Sequence, residues 1–108
     1  MTEDDLLRNV LHLAKLLGLR TAHFRPAKVG DRWVTAVQGD GKGFPDLVIV
    51  GPKGVLFREL KSAKGRLTRE QSAWAAALIR AGGNWGEWLP KHWGADGGRI
   101  REELEALR

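Results

Sequence analysis

The sequence predicts an α/β domain in which helices flank a mixed central sheet. Three observations carry that expectation. The chain opens on an amphipathic stretch with Leu6, Leu7, Val10, Leu11, Ala14 and Leu17 at helical spacing. Its middle holds two short runs of strand character, residues 46–50 and 55–61, joined by the turn-forming Gly51-Pro52-Lys53-Gly54. A second amphipathic stretch, a further strand-like run and a closing helix follow, an order that packs helices onto a sheet.

In the first helix Thr2 is the expected cap, with Asp5 three residues on, and Gly18 the expected stop. Asp4 and Asp5 suit the positive end of the helix dipole. Glu3 differs, because it precedes Leu6, Leu7 and Val10 at helical spacing and so shares their inward stripe. Residues 20–25 read as the first strand, ended by Pro26, and residues 33–37 as the second, with Lys28, Gly30 and Asp31 turning between them. His23 is either a hydrogen-bonded structural group or a residue facing a site. Arg25 and Arg32 fit phosphate contact and a solvated strand edge equally well. The loop Gly39-Asp40-Gly41-Lys42-Gly43 lacks the spacing of a nucleotide-cradling P-loop. It is a plain loop, or a flexible approach to nucleic acid in which Lys42 reaches phosphate.

After Lys61, Thr68 and Gln71 have capping-box spacing, and the helix they open runs to about Arg80 before Ala81-Gly82-Gly83 ends it. Gln71, Trp74, Ala75 and Leu78 share one stripe, which assigns Trp74 and Leu78 to the core and leaves Gln71 two duties, the cap and an inward-facing site. Residues 85–89 read as the last strand. Gly98 precedes a terminal helix with Ile100, Leu104 and Leu107 along its apolar line. Trp85, Trp88 and Trp93 are read as core or subunit interface rather than as stacking platforms for bases.

At 108 residues the chain reads as one domain over residues 1–108, and 43% hydrophobic content supports a folded core. The absence of cysteine excludes a disulfide framework and a thiolate metal site, and fits a reducing intracellular setting. No secretory signal or membrane-spanning run is visible. A net charge of +5 and a pI of about 10.1 point to an anionic partner, nucleic acid above all. Arg58, Lys61, Lys64, Arg66 and Arg69 surround the strand ending at Lys61 and are assigned to phosphate. Arg99, Arg101 and Arg108 are assigned to solvation.

The chemistry concentrates on the two central strands. Successive strand residues face opposite ways, so Glu59 and Lys61 emerge on one side, and Asp46 joins them from the neighbouring strand. A Glu and a Lys two apart are most often a weak exposed ion pair. Here Val55 and Phe57 share their face, which argues that it is covered, and buried charge needs a partner or a metal. Asp46 and Glu59 suit a hard divalent cation such as Mg²⁺, with the Leu60 carbonyl as a third oxygen. A lysine beside a bound cation is disfavoured as an ammonium. Lys61 would then take a proton from the attacking water, or orient that water and stabilise the developing charge.

Pro45-Asp46 followed by Glu59-Leu60-Lys61 resembles the PD-(D/E)xK nuclease signature. Within that superfamily the chain is most similar to the virus-type replication and repair nuclease domain, VRR-NUC. The supporting residues are Gly41 to Asp46 as Gly-x-Gly-x-Pro-Asp, then Gly65-Arg66-Leu67-Thr68 with Gln71 and Trp74, and later Trp88-Leu89-Pro90 with Trp93. The resemblance implies a restriction-endonuclease-like core and Mg²⁺- or Mn²⁺-dependent hydrolysis of DNA. It implies that Glu3, on the first helix, helps complete the acidic site, although Leu7 stands where the family often has glutamine, and that Gln71 lies near the metal-bound substrate. It also implies branched DNA as substrate, four-way (Holliday) junctions included, in the cytoplasm or nucleoid of a bacterial cell or a virus-infected host. One chain carries one such site, so paired cuts require a homodimer, most simply with two-fold symmetry. The alternatives are a flap or single-strand nuclease, an inactive nucleic-acid-binding module with a nuclease-like fold, and a scaffolding protein whose acidic cluster is incidental.

Overall fold

The structure, a computed structural model, describes residues 1–24, 27–34 and 37–108. Its elements in chain order are α1 (Glu3–Leu16), β1 (Arg20–His23), β2 (Ala27–Val29), β3 (Arg32–Val34), β4 (Leu47–Gly51), β5 (Gly54–Leu60), α2 (Arg69–Arg80), β6 (Asn84–Trp88), a 3₁₀ turn (Pro90–His92) and α3 (Gly98–Glu105). Four strands form the central sheet in the order β1-β4-β5-β6. The β1–β4 and β4–β5 pairs are antiparallel, and β5–β6 is parallel, with α2 as its crossover. The sheet is mixed and helices cover it, as the sequence predicts.

Both capping boxes form. Asp5 N–H donates to Thr2 Oγ1 and Thr2 N–H to Asp5 Oδ2, and Thr68 does the same with Gln71. Helix α1 buries Leu6, Val10, Leu13 and Ala14, and Gly18, at φ 75°, takes the left-handed conformation that ends it. The core lies on one face of the sheet, where α1 and α3 meet Leu47, Ile49, Leu56, Leu60 and Trp88. Helix α2 lies on the other face. There Phe44 makes edge-on contacts with Phe24, Phe57 and Trp74.

Three expectations are corrected. The second strand is not part of the central sheet: β3 pairs with β2 alone, Lys28 belongs to β2, and the turn is Gly30-Asp31. Val37 lies outside the strand, and Arg25, Pro26, Thr35 and Ala36 fall outside the described residues. Trp74 and Leu78 are only half-buried, because a single crossover helix covers that face, and Ala75 alone in α2 is buried. Trp88 is fully buried and Trp93 packs against the core, as read from the sequence. Among the described residues no helix is long and apolar enough to cross a membrane.

Candidate active site

The register of the hairpin builds the site. β4 and β5 pair Leu47 with Arg58 and Val48 with Phe57, so one step beyond the ladder Asp46 falls opposite Glu59. Alternation sends Leu56, Arg58 and Leu60 to the core face and Phe57 and Glu59 to the α2 face. The ladder bond that would follow is replaced by a side chain: Leu60 N–H donates to Asp46 Oδ2 at 2.9 Å. In an extended strand the N–H and C=O of one residue point to the same neighbour, so the Leu60 carbonyl also faces Asp46. Pro45 is fully buried beneath this corner, and Phe24 N–H donates to the Asp46 carbonyl at 2.9 Å.

Glu59 is 1% exposed. Gln71 Nε2 donates to its Oε1 at 3.0 Å, so Gln71 performs both duties at once, its Oε1 closing the cap on Thr68 N–H at 2.9 Å. Glu59 Oε2 is buried with no hydrogen-bond partner among the described residues. Burial first, and then the charge of Asp46 and its readiness to accept a proton, push the Glu59 carboxyl up to about 9, while Lys61 opposes them and Glu3 adds to them. The two carboxylates are near enough to interact this strongly, and a proton held on Glu59 can be shared with Asp46.

Lys61 is half-buried at the end of β5, its N–H donating to the Trp88 carbonyl at 3.1 Å. Gly65 folds back on it: a Cβ there would stand 3.1 Å from Lys61 Cδ. Gly43 is required for a similar reason. At φ +84° its Cβ would lie 2.5 Å from the Glu70 carbonyl carbon and 2.7 Å from Gln71 N, so only glycine lets this loop dock on the first turn of α2. Gly43 and Gly65 are thus contacts of the site, whereas a Cβ at Gly41 would meet Val37.

Glu3 reaches the site from α1. Its carboxyl is raised, by burial first and then by Asp46, against the pull of Lys61. With Asp4, Leu7, His23, Phe24, Asp46 and Leu60 it lines a cavity of about 70 Å³. His23 therefore faces the site. Asp4, assigned from sequence to the helix dipole alone, lines the same cavity; its position three residues before Leu7 carried that signal. Among the described residues no three of His, Asp and Glu form a ready metal cage, and Glu3 is linked to Asp46 and Glu59 by charge.

Lys64 and Arg66 are exposed on the segment that joins β5 to α2, and Arg69 is exposed at the start of α2. Lys42 is exposed and 3.5 Å from Glu70. Arg58 is a correction. Expected at phosphate, it is 4% exposed on the core face, with its guanidinium committed to Glu103 at 2.8 Å. The reason is parity, since a residue between Phe57 and Glu59 must face the other way.

The donor set at the corner is all oxygen: the Asp46 carboxylate, the Leu60 carbonyl and a buried carboxylate oxygen with no donor of its own. That set fits a hard divalent cation, which would remove the repulsion between the carboxylates. A sequence model of the VRR-NUC domain family matches residues 8–87, a span that begins after Glu3 and ends before Trp88. No curated protein and no solved structure matches the chain.

Proposed function

We propose, from the premise that this chain belongs to the VRR-NUC domain family and is a nuclease domain, that it hydrolyses phosphodiester bonds in branched DNA with the help of Mg²⁺ or Mn²⁺. The observation that carries the reading is Glu59 Oε2, buried and unpartnered beside Asp46. Asp46, Glu59 and the Leu60 carbonyl would hold the cation, with Glu3 assisting directly or through water. When bound, such a cation neutralises the paired carboxylates and polarises the scissile phosphate.

The side chains supply the rest. The Leu60 N–H holds the Asp46 carboxylate in place, and the Gln71 amide fixes the plane of Glu59. Lys61 takes a proton from the attacking water, or orients that water and stabilises the charge that develops on phosphate. Lys42, Lys64, Arg66 and Arg69 contact the backbone, which makes affinity fall steeply with salt. One site per chain cuts one strand, so symmetric cutting of a four-way junction takes a homodimer.

The test compares wild type with Asp46→Ala and Lys61→Ala on four-way, flap, single-stranded and duplex DNA, with Mg²⁺, Mn²⁺ or chelator. Wild type cuts the branched DNA in paired nicks when a cation is present, and each variant loses about 10²–10⁴-fold in rate. Undiminished cutting by either variant refutes its role. DNA binding with no cutting by wild type in either cation identifies an inactive binding module instead. Random single nicks from a monomer overturn the dimer.

A further inference from the structure

We infer that the β2–β3 hairpin is a base-stacking arm, and that Trp33 lies against an unpaired base of the substrate beside the acidic pair. The inference rests on the nuclease reading and names the feature of the DNA that the chain grips.

Trp33 is 70% exposed and Val29, on the same hairpin, 64%. Tryptophan is highly buried on average, and the other four follow that rule here. Trp88 is fully buried, Trp93 packs on the core, Trp85 is half-buried, and Trp74, also half-buried, donates Nε1–H to the Asp40 carbonyl at 2.8 Å. Among the described residues the strands β2 and β3 pair only with each other. A lone two-stranded hairpin is marginal in water, so a bound partner that covers its apolar ring also steadies the hairpin.

Chain reach identifies the partner. β1 leads into Phe24, whose N–H donates to the Asp46 carbonyl, and β2 begins three residues later, a span of at most about 11 Å. Whatever its tilt, the hairpin is rooted beside Asp46, where the scissile strand must pass. The register pairs Lys28 with Trp33 and Arg32 with Val29, and Arg32 is exposed. A hairpin that carries an exposed aromatic ring together with basic residues suits a base and its phosphate. Bases inside continuous duplex are already stacked and present no free face. The ring therefore calls for an unpaired base, such as one at a branch point or in a single-stranded arm.

The experiment places 2-aminopurine at the unpaired position next to duplex in a synthetic branched DNA and in a matched continuous duplex. The uncut complexes are formed with Asp46→Asn chains carrying Trp33, Trp33→Phe or Trp33→Ala. Trp33 quenches the probe in the branched DNA, Trp33→Phe keeps most of the effect, and Trp33→Ala loses it together with about ten-fold in affinity, the scale of one stacked base. Duplex binding changes less than two-fold. Trp33→Ala in the otherwise wild-type chain slows cutting of the branched DNA about ten-fold at subsaturating substrate. Equal quenching and equal affinity with Trp33→Ala, in a wild type that cuts DNA, overturn the inference and leave the nuclease reading intact. A shift in sedimenting mass with Trp33→Ala overturns it in favour of a contact between two copies. Failure of wild type to cut or bind any of these DNAs removes both.

Discussion

Arg58 and Glu59 are neighbours on β5, 4% and 1% exposed, and they face opposite sides of the sheet with opposite outcomes. Every arm of Arg58 is engaged. Nε and Nη2 donate to Glu103 Oε1 at 3.1 and 2.8 Å, Nη1 to the carbonyls of Phe57 and Asn84 at 3.0 and 2.7 Å, and Nη2 also to Asn84 Oδ1 at 3.0 Å. Its guanidinium lies 5.2 Å from the Trp88 ring, and Gly86 makes room for it, since a Cβ there would stand 3.0 Å from Arg58 Cζ. Glu103 accepts further bonds from Trp88 Nε1 and Arg99 Nε. Burial alone would raise the Glu103 carboxyl, but hydrogen bonds from Arg99 and Arg58 outweigh it and hold the group below its usual range. Glu59 receives one bond, from Gln71, and its second oxygen receives none. A buried charge whose partners all belong to the fold ties elements together, here α3 to β5 and β6. A buried carboxyl that the fold leaves short of donors is a candidate for a ligand instead.

Removing the satisfied charge should have the largest effect. Arg58→Ala strands Glu103 and is expected to cost ~3–5 kcal/mol, read from urea unfolding. A loss under ~1 kcal/mol, within the range of an exposed pair, would erase the contrast.

Glu59→Gln should act with the opposite sign. A carboxyl raised from 4.5 to about 9 contributes stability that is fully present below pH 4.5 and is lost as pH rises through 9, because the folded chain holds a proton that the unfolded chain releases. In chelator, the wild-type melting temperature should therefore fall between pH 5 and pH 9. Glu59→Gln should melt nearly independently of pH over that window and above wild type at pH 8. Added Mg²⁺ should raise wild type at pH 8 and leave Glu59→Gln unchanged, while the substitution abolishes most cutting. A flat wild-type profile would show that Asp46 and Glu59 do not strain each other.

The smallest effect is expected where charge is exposed. The side chains of Lys42 and Glu70 are 84% and 41% exposed at 3.5 Å, so Lys42→Ala should change stability by under ~0.5 kcal/mol. DNA affinity should still weaken, with the salt slope falling by about one. Titrations at several salt concentrations measure it.

Much of the site was legible in the chain itself. Asp46, Glu59 and Lys61 converge because strands alternate and a four-residue turn sets the register. Thr68 and Gln71 announce a cap by their spacing, and Arg58 should have been assigned to the far side by the same alternation that selects Glu59. The second duty of Gln71 needed the crossover helix in place, and the meaning of Gly43 needed the first turn of α2 against its backbone.

The sequence by itself determined what interactions within a few residues can decide: both capping boxes, the stop at Gly18, the hairpin and the face each of its side chains takes. Only the tertiary structure decided that β2 and β3 leave the sheet, that α2 buries little of its length, and that Glu103, 45 residues along, answers Arg58 while no donor among the described residues answers Glu59 Oε2. The physical reason is range. Backbone dihedrals and caps act between near neighbours, whereas the fate of a buried charge depends on which distant side chains packing brings within hydrogen-bond reach.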